Sequence, residues 1–186
     1  MTYQYYPNFF YQWSKRGDTP VMNFEADRGK RVNYFGALCM SDKRQVVHMG
    51  DHKKSEDFIN FLELVLEKYK SQISAGLEDH LAKLAKDQVE KSVPKLYRGM
   101  ILVVLDNASI HKSKEVKAWL EEHYGMIEFM NLPPYCPDLN PQERVWKALR
   151  KEISTYQGVR SFGEIVDHSC FFLMSRTFNY KMEVSK

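Results

Sequence analysis

In the stretch VVLDNASIHKSKEV, Val103 to Val116, an apolar run from Met100 to Leu105 ends in a carboxylate, an amide and, close behind, an imidazole: Asp106, Asn107 and His111. Two readings are open. Asp and Asn end strands because their side chains bond nearby backbone in turns. A carboxylate at the end of a central strand is also a natural metal ligand. A second dense stretch, LPPYCPDLNPQERVW, runs from Leu132 to Trp146 and brings in Glu143. Pro133, Pro134 and Pro137 stiffen its backbone. Asn140 stands where an N-cap belongs, Pro141 takes the first helical position, and Glu143 the third. Asn-x-x-Glu is a capping-box pattern, so Glu143 has a purely structural reading too. A cap, however, does not require a proline-locked approach. Such a loop fixes where the first helical turn stands, and the helix dipole favours the anion there. Two carboxylates converging on water make a hard-oxygen site suited to Mg2+ or Mn2+. Two ions so held support phosphoryl transfer, one activating the nucleophile and one stabilising the leaving oxygen.

These residues need a scaffold. The tyrosine- and phenylalanine-rich start, MTYQYYPNFFYQW, reads as a strand followed by an irregular segment, with its aromatics in the core or strand. KRVNYFGALCM and RQVVHMG read as two strands joined at hairpin length by Ser41-Asp42-Lys43. Ser55 opens a helix with Phe58, Phe61, Leu62, Val65, Leu66 and Tyr69 on one face. Residues 71–98 carry only a thin apolar stripe, Leu77, Leu81, Leu84 and Val89, and read as an extra peripheral helix ended by Pro94. After the strand to Leu105, Ser113 caps a helix with Val116, Trp119 and Leu120 inward and Gly125 as its stop. MIEFMNL is a short strand, QERVWKALRKEI a helix, and a final helix runs from about Ser161 to Met174 before a polar tail at 175–186. A hairpin followed by alternating units predicts an α/β mixed sheet with helices packed on it. Sheets of that kind place ligands beyond their strand ends. One helix, one strand and one stiff loop separate Asp106 from Glu143, enough to return Glu143 beside the end of the Asp106 strand.

Composition sets bounds. A chain of 186 residues with 44% hydrophobic and 27% charged residues fits one ordinary globular domain. No apolar run approaches a membrane span. Three scattered cysteines, Cys39, Cys136 and Cys170, fit a reducing cytoplasm better than a disulfide framework. The net charge of +3 is compatible with nucleic acid without pointing to it. Basic clusters occur at Arg28-Lys30-Arg31, Lys53-Lys54, Lys112-Lys114-Lys117 and Lys147-Arg150-Lys151, each more often a solvated face than a binding patch.

At the two dense stretches the sequence resembles a family. LDNASIHKSKEVKAWL together with LPPYCPDLNPQERVWKALRKEI is similar to the catalytic domain of DDE transposases, in the mariner-related superfamily of bacterial insertion-sequence enzymes. Trp13-x-x-x-Gly17-x-x-Pro20 and VNYFGAL resemble the segment after that family's first catalytic strand. The Asp-Asn-Ala-x-x-His and Pro-x-Leu-Asn-Pro-x-Glu pair, in order, is a specific signal. The resemblance implies a ribonuclease-H-like fold and a single catalytic domain over residues 1–186, with 71–98 as a helical insertion. It implies cleavage of double-stranded DNA at transposon ends and strand transfer to a target, with two Mg2+ or Mn2+ ions in the complete site. A homodimer, a bacterial cytoplasmic location and association with the nucleoid when on DNA are further expectations; a membrane is not.

By the same resemblance Asp106 is the second carboxylate of a triad and Glu143 the third, both catalytic and both metal ligands, with their carboxyl groups on the order of 4–8 Å apart. Asn107 orients Asp106 or contacts DNA. His111 touches a phosphate or closes the helix start. Asn140 reads as a cap more than a ligand, and Tyr135 as loop packing or a DNA contact. Cys136 stands where relatives often carry serine. Lys112, Lys114, Lys147, Arg150 and Lys151 are expected to bind DNA non-specifically. The departures from the family pattern matter. No helix-turn-helix region precedes the domain, and no Asp lies between Met1 and Trp13, where the first catalytic Asp is expected. Asp18 and Asp27 follow Trp13 in turn-like segments. The expectation is therefore a truncated first strand and a chain that does not cut DNA as it stands. The competing readings are a non-catalytic DNA-binding or interfering fragment, and another ribonuclease-H-like nuclease or recombinase. The Pro-x-Leu-Asn-Pro-x-Glu loop speaks against the latter.

Overall fold

The computed structural model describes residues 1–5, 15–17, 29–86, 100–134, 136, 139–156 and 161–180. Trp13, Asp18, Pro20, Asp27, Arg28, Val89, Pro94 and Tyr135 lie outside them, as do the side chains of Leu77, Leu81 and Leu84. The chain divides into two compact units, Met1–His52 with Pro141–Met182, and Lys53–Asn140 with Glu183–Lys186.

The first unit is built on three antiparallel strands, β1 (Thr2–Gln4), β2 (Arg31–Leu38) and β3 (Gln45–Gly50), in the order β1-β2-β3. The β2–β3 hairpin closes as its sequence suggests. Leu38 pairs with Gln45, Lys43 takes a left-handed φ of 60°, and the Arg44 N–H donates to Asp42 Oδ1 at 2.9 Å. On β2, Val32 and Tyr34 face the core, as a strand's two-residue period requires. Asn33 is buried too, but satisfied: its amide donates to the carbonyls of Gly50 (3.4 Å) and Asp51 (3.1 Å) and accepts from Thr2 Oγ1 (2.8 Å). Helices α3 (Pro141–Tyr156) and α4 (Phe162–Ser175) belong to this unit. Val145, Trp146, Leu149 and Ile153 of α3 recur at helical spacing and join Val32, Tyr34, Ile165, Phe172 and Leu173 in one core. A capping box starts α4: Ser161 Oγ accepts the Glu164 N–H (3.3 Å) while Glu164 Oε2 accepts the Ser161 N–H (2.8 Å). The segment expected to be a polar tail is anchored in its described part. Phe178 is buried in the core and its N–H donates to the Lys43 carbonyl at 2.8 Å.

Tyr34 gives this core a pH dependence. Its ring is only 1% exposed, and burial pushes its phenol from 10.0 up to about 12, partly offset by Ser169. The unfolded tyrosine ionises near its ordinary value while the folded one keeps its proton. The folded state then binds more protons, so stability is fully present below about pH 10 and is lost as pH rises towards about 12, by about 2–3 kcal/mol. Denaturant titrations across that window should show the loss, and Tyr34→Phe should flatten it. An equal slope in the variant would assign the loss elsewhere.

The second unit holds α1 (Ser55–Lys86), β4 (Ile101–Leu105), a short 3-10 turn (Ser109–Lys112), α2 (Lys114–Glu122) and β5 (Ile127–Asn131). Strands β4 and β5 pair in parallel, Ile101 with Ile127 through Leu105 with Asn131. The expected face of α1 is the buried one: Phe58, Phe61, Leu62, Val65, Leu66 and Tyr69. The expected separate helix over 71–98 is, up to Lys86, the continuation of α1. Ser71–Lys86 contains no proline, and its one glycine, Gly76, costs only about 1 kcal/mol relative to alanine, so the backbone ladder runs on after the apolar face thins. Ser113 caps α2, its Oγ accepting the Val116 N–H at 3.2 Å, and Gly125 follows with φ 85°. Val116 and Trp119 face inward, and Trp119 Nε1 donates to Glu63 Oε1 at 2.6 Å. Among the described residues the protein is thus α/β with both strand orientations, antiparallel in the sheet of the first unit and parallel in that of the second.

Candidate active site

Asp106 is the first residue beyond β4. The parallel pairing persists for one more bond, from the Leu132 N–H to the Leu105 carbonyl at 2.8 Å, so the chain leaves both strands at the same level. Asp106 then turns the backbone with its own carboxylate, Oδ1 accepting the Ala108 N–H at 3.0 Å. This is the bland turn reading, and it holds. It does not consume the carboxylate, whose side chain is 60% exposed. The Asn107 side chain ties the two dense sequence stretches together: its Nδ2 donates to the Leu132 carbonyl at 2.8 Å, at the entrance to the proline loop. Its Oδ1 accepts from Lys112 Nζ at 3.4 Å, which neutralises an acceptor beside the carboxylate. His111 reaches back along the turn. Its Nδ1 lies 3.1 Å from the Asp106 carbonyl oxygen and 3.3 Å from Oδ1. The His111 ring lies against Phe58 of α1, centroids 4.6 Å apart at 36°. Asp106, Asn107, His111 and Lys112 therefore form one local constellation.

Glu143 belongs to the other unit. It is exposed in the first turn of α3, after a buried Pro141 and a half-buried Asn140. With Lys147, Arg150 and Lys151 it makes a charged, exposed face at helical spacing, opposite Val145, Trp146, Leu149 and Ile153. Lys112 and Lys114, also exposed, precede and open α2. Just after them, the Glu115 carboxyl is held below its ordinary value by its own backbone N–H first and the Ser113 hydroxyl next. Two partners went unseen in the sequence. Phe58 reads from periodicity only as a core residue, and Gly36 carries no signal at all. Yet a Cβ at Gly36 would stand 2.5 Å from Trp146 Cη2, so only glycine lets the α3 indole approach β2 this closely. Cys170 is no hidden nucleophile, since burial and then the Asp167 charge push its thiol up.

The sequence profile of the DDE superfamily endonucleases matches residues 3–165. The chain belongs to that family. Over 54 residues it is 39% identical to the insertion element IS630 uncharacterized 39 kDa protein of Shigella sonnei, covering 29% of this chain and 16% of that protein. Over 95 residues it is 27% identical to uncharacterized protein y4pE/y4sA of Sinorhizobium fredii (strain NBRC 101917 / NGR234), covering 51% and 62%. The chain spans less than two thirds of the length of these curated relatives. For a DDE-family chain the donor set is of the right kind: the exposed Asp106 and Glu143 carboxylates are hard oxygen ligands of the sort Mg2+ and Mn2+ take. Among the described residues no group of three or more His, Cys, Asp or Glu is gathered as a metal cluster. No helix among them is long and apolar enough to cross a membrane.

Proposed function

We propose that this DDE-family chain supplies two of the three carboxylates, Asp106 and Glu143, of a divalent-metal site that, once a third carboxylate completes it, cleaves double-stranded DNA at transposon ends and transfers the strand to a target. The observation that carries this reading is Asp106 itself. Its carboxylate stands exposed beyond a parallel strand, with its turn already fixed by Ala108 and His111, inside the family match. A ribonuclease-H-like fold is part of the proposal, supported by an antiparallel meander and a parallel β-α-β unit in one chain. Asp106 holds a cation through its outward carboxylate. Glu143 does so from the first turn of α3. Asn107 keeps the proline loop joined to the end of β4, and Asn140 and Pro141 start the helix that presents Glu143. When bound, Mg2+ or Mn2+ supplies Lewis acidity at the scissile phosphate and eases deprotonation of the attacking group. Mn2+ titration followed by electron paramagnetic resonance tests the site. Asp106→Asn and Glu143→Gln should each weaken binding at least about 10-fold, and unchanged binding by both would sink it.

Lys112, Lys114, Lys147, Arg150 and Lys151 contribute backbone affinity for DNA. Reversing all of them to Glu should weaken DNA binding at least about 10-fold at low salt and flatten the salt dependence, by about 0.9 in log–log slope for each phosphate no longer neutralised. An unchanged affinity and slope would remove these residues from the interface. A second reading, a DNA-binding or interfering fragment without chemistry, is favoured by one observation: β1, Thr2–Gln4, carries no carboxylate. In that case the five-residue variant loses DNA affinity while even a chain given an aspartate ahead of Met1 yields no cleavage.

A further inference from the structure

His111 has two readings from sequence, a phosphate contact or a closure of the turn, and the geometry around its ring separates them. Nδ1 faces two oxygens at once, the Asp106 carbonyl at 3.1 Å and Asp106 Oδ1 at 3.3 Å. Both are acceptors. A lone pair on Nδ1 would be repelled by each, so Nδ1 carries the hydrogen. The imidazole is also withdrawn from solvent, its side chain 14% exposed against 60% for Asp106. A ring so placed is poorly presented to a DNA phosphate, while the carboxylate beside it is open. One face of the ring is held by Phe58, itself 4% exposed and packed against Phe61 and Phe129 at 6.1 Å between centroids. A line of support therefore runs from the α1 core through Phe58 to His111 and on to Asp106.

We propose that His111 is a positioning residue for Asp106, acting through Nδ1–H, and that Phe58 holds the imidazole in that orientation. Asp106 Oδ1 is committed to the Ala108 N–H at 3.0 Å and to His111. Oδ2 is then the oxygen offered to a cation, with its direction set by two contacts on its partner atom. Fixing a ligand's rotamer in this way is what groups behind a metal's direct ligands do, and losing one typically costs about 10–100-fold in metal affinity. This inference rests on the proposed metal role of Asp106, and its test separates the two.

The first measurement needs no metal. Long-range 1H–15N correlation of the His111 ring in the full chain, in mildly alkaline solution, should show Nδ1 protonated and Nε2 bare. An Nε2–H tautomer overturns the proposal whatever Asp106 does. The second is Mn2+ binding by paramagnetic resonance on the full chain and its variants. His111→Ala should weaken binding about 10-fold. His111→Asn, whose amide N–H can occupy the Nδ1 position, should recover most of that loss, whereas His111→Gln, which places its amide nearer Nε2, should not. Phe58→Leu should weaken binding severalfold with the fold retained by circular dichroism. Should His111→Ala fail to fold, the Asn and Gln variants and the ring spectrum still decide. Wild-type binding by His111→Ala, with binding lost in Asp106→Asn, overturns this inference alone. Wild-type binding by Asp106→Asn overturns the metal site on which it rests.

Discussion

Incubated with Mn2+ or Mg2+ and double-stranded DNA, the 186-residue chain is expected to yield no cleavage above a protein-free blank. Asp106 and Glu143 are two carboxylates where the family resemblance implies three, and phosphoryl transfer depends on ions held in line with nucleophile and leaving group. A displacement of about 1 Å already costs about 100-fold. The first strand offers no substitute: Thr2, Tyr3 and Gln4 are its residues, and Met1 continues the ladder by accepting the Tyr34 N–H at 2.7 Å. An aspartate supplied ahead of Met1 would extend that ladder alongside Phe35. Such an extended chain is expected to nick DNA in a metal-dependent way, and Asp106→Asn or Glu143→Gln to reduce nicking at least about 100-fold. Robust cleavage by the unextended chain, abolished by Asp106→Asn, would show that another carboxylate completes the site.

The second large effect concerns the support of Glu143. Trp146→Ala should destabilise the first unit by about 3–5 kcal/mol, the usual cost of removing a buried indole. Trp146 is 5% exposed and lies over β2, with the Tyr34 ring 6.5 Å away. Gly36→Ala should cost about 1–3 kcal/mol by overpacking. The added methyl would stand 2.5 Å from Cη2 and 2.9 Å from Cζ2 of Trp146, parts of a rigid ring that cannot bend away. Phenylalanine at position 146 lacks the outer ring, so Gly36→Ala should be better tolerated in a Trp146→Phe background. Denaturant unfolding of the four chains gives the coupling, expected at about 1 kcal/mol or more. Strict additivity would mean that the indole moves aside freely. Trp146 anchors the helix whose first turn carries Glu143.

Local chemistry in the sequence was enough for the strands, the caps and the buried helix faces. Ser113 caps α2 because its hydroxyl reaches an N–H three residues on, and Phe58 to Tyr69 share a face because a helix repeats every 3.6 residues. The ordered motif around Asp106 and Glu143 was likewise legible, and the family match spans both residues. Periodicity is blind to contacts between segments distant along the chain. The bond from Asn107 to the Leu132 carbonyl depends on the parallel register of β4 and β5. The seat of His111 on Phe58 depends on where α1 lies, and the need for glycine at position 36 on where α3 packs. Continuity misled in the opposite way: composition changes at Ser71, but α1 runs on to Lys86, because backbone hydrogen bonds do not require an apolar face. Phe178 looked like part of a polar tail because its neighbours are polar, and only the assembled core of β2, α3 and α4 supplies the cavity that buries it. Residue types decided which chemistry this protein can carry. The packing of elements far apart in sequence decided which way Asp106 points and what holds it there.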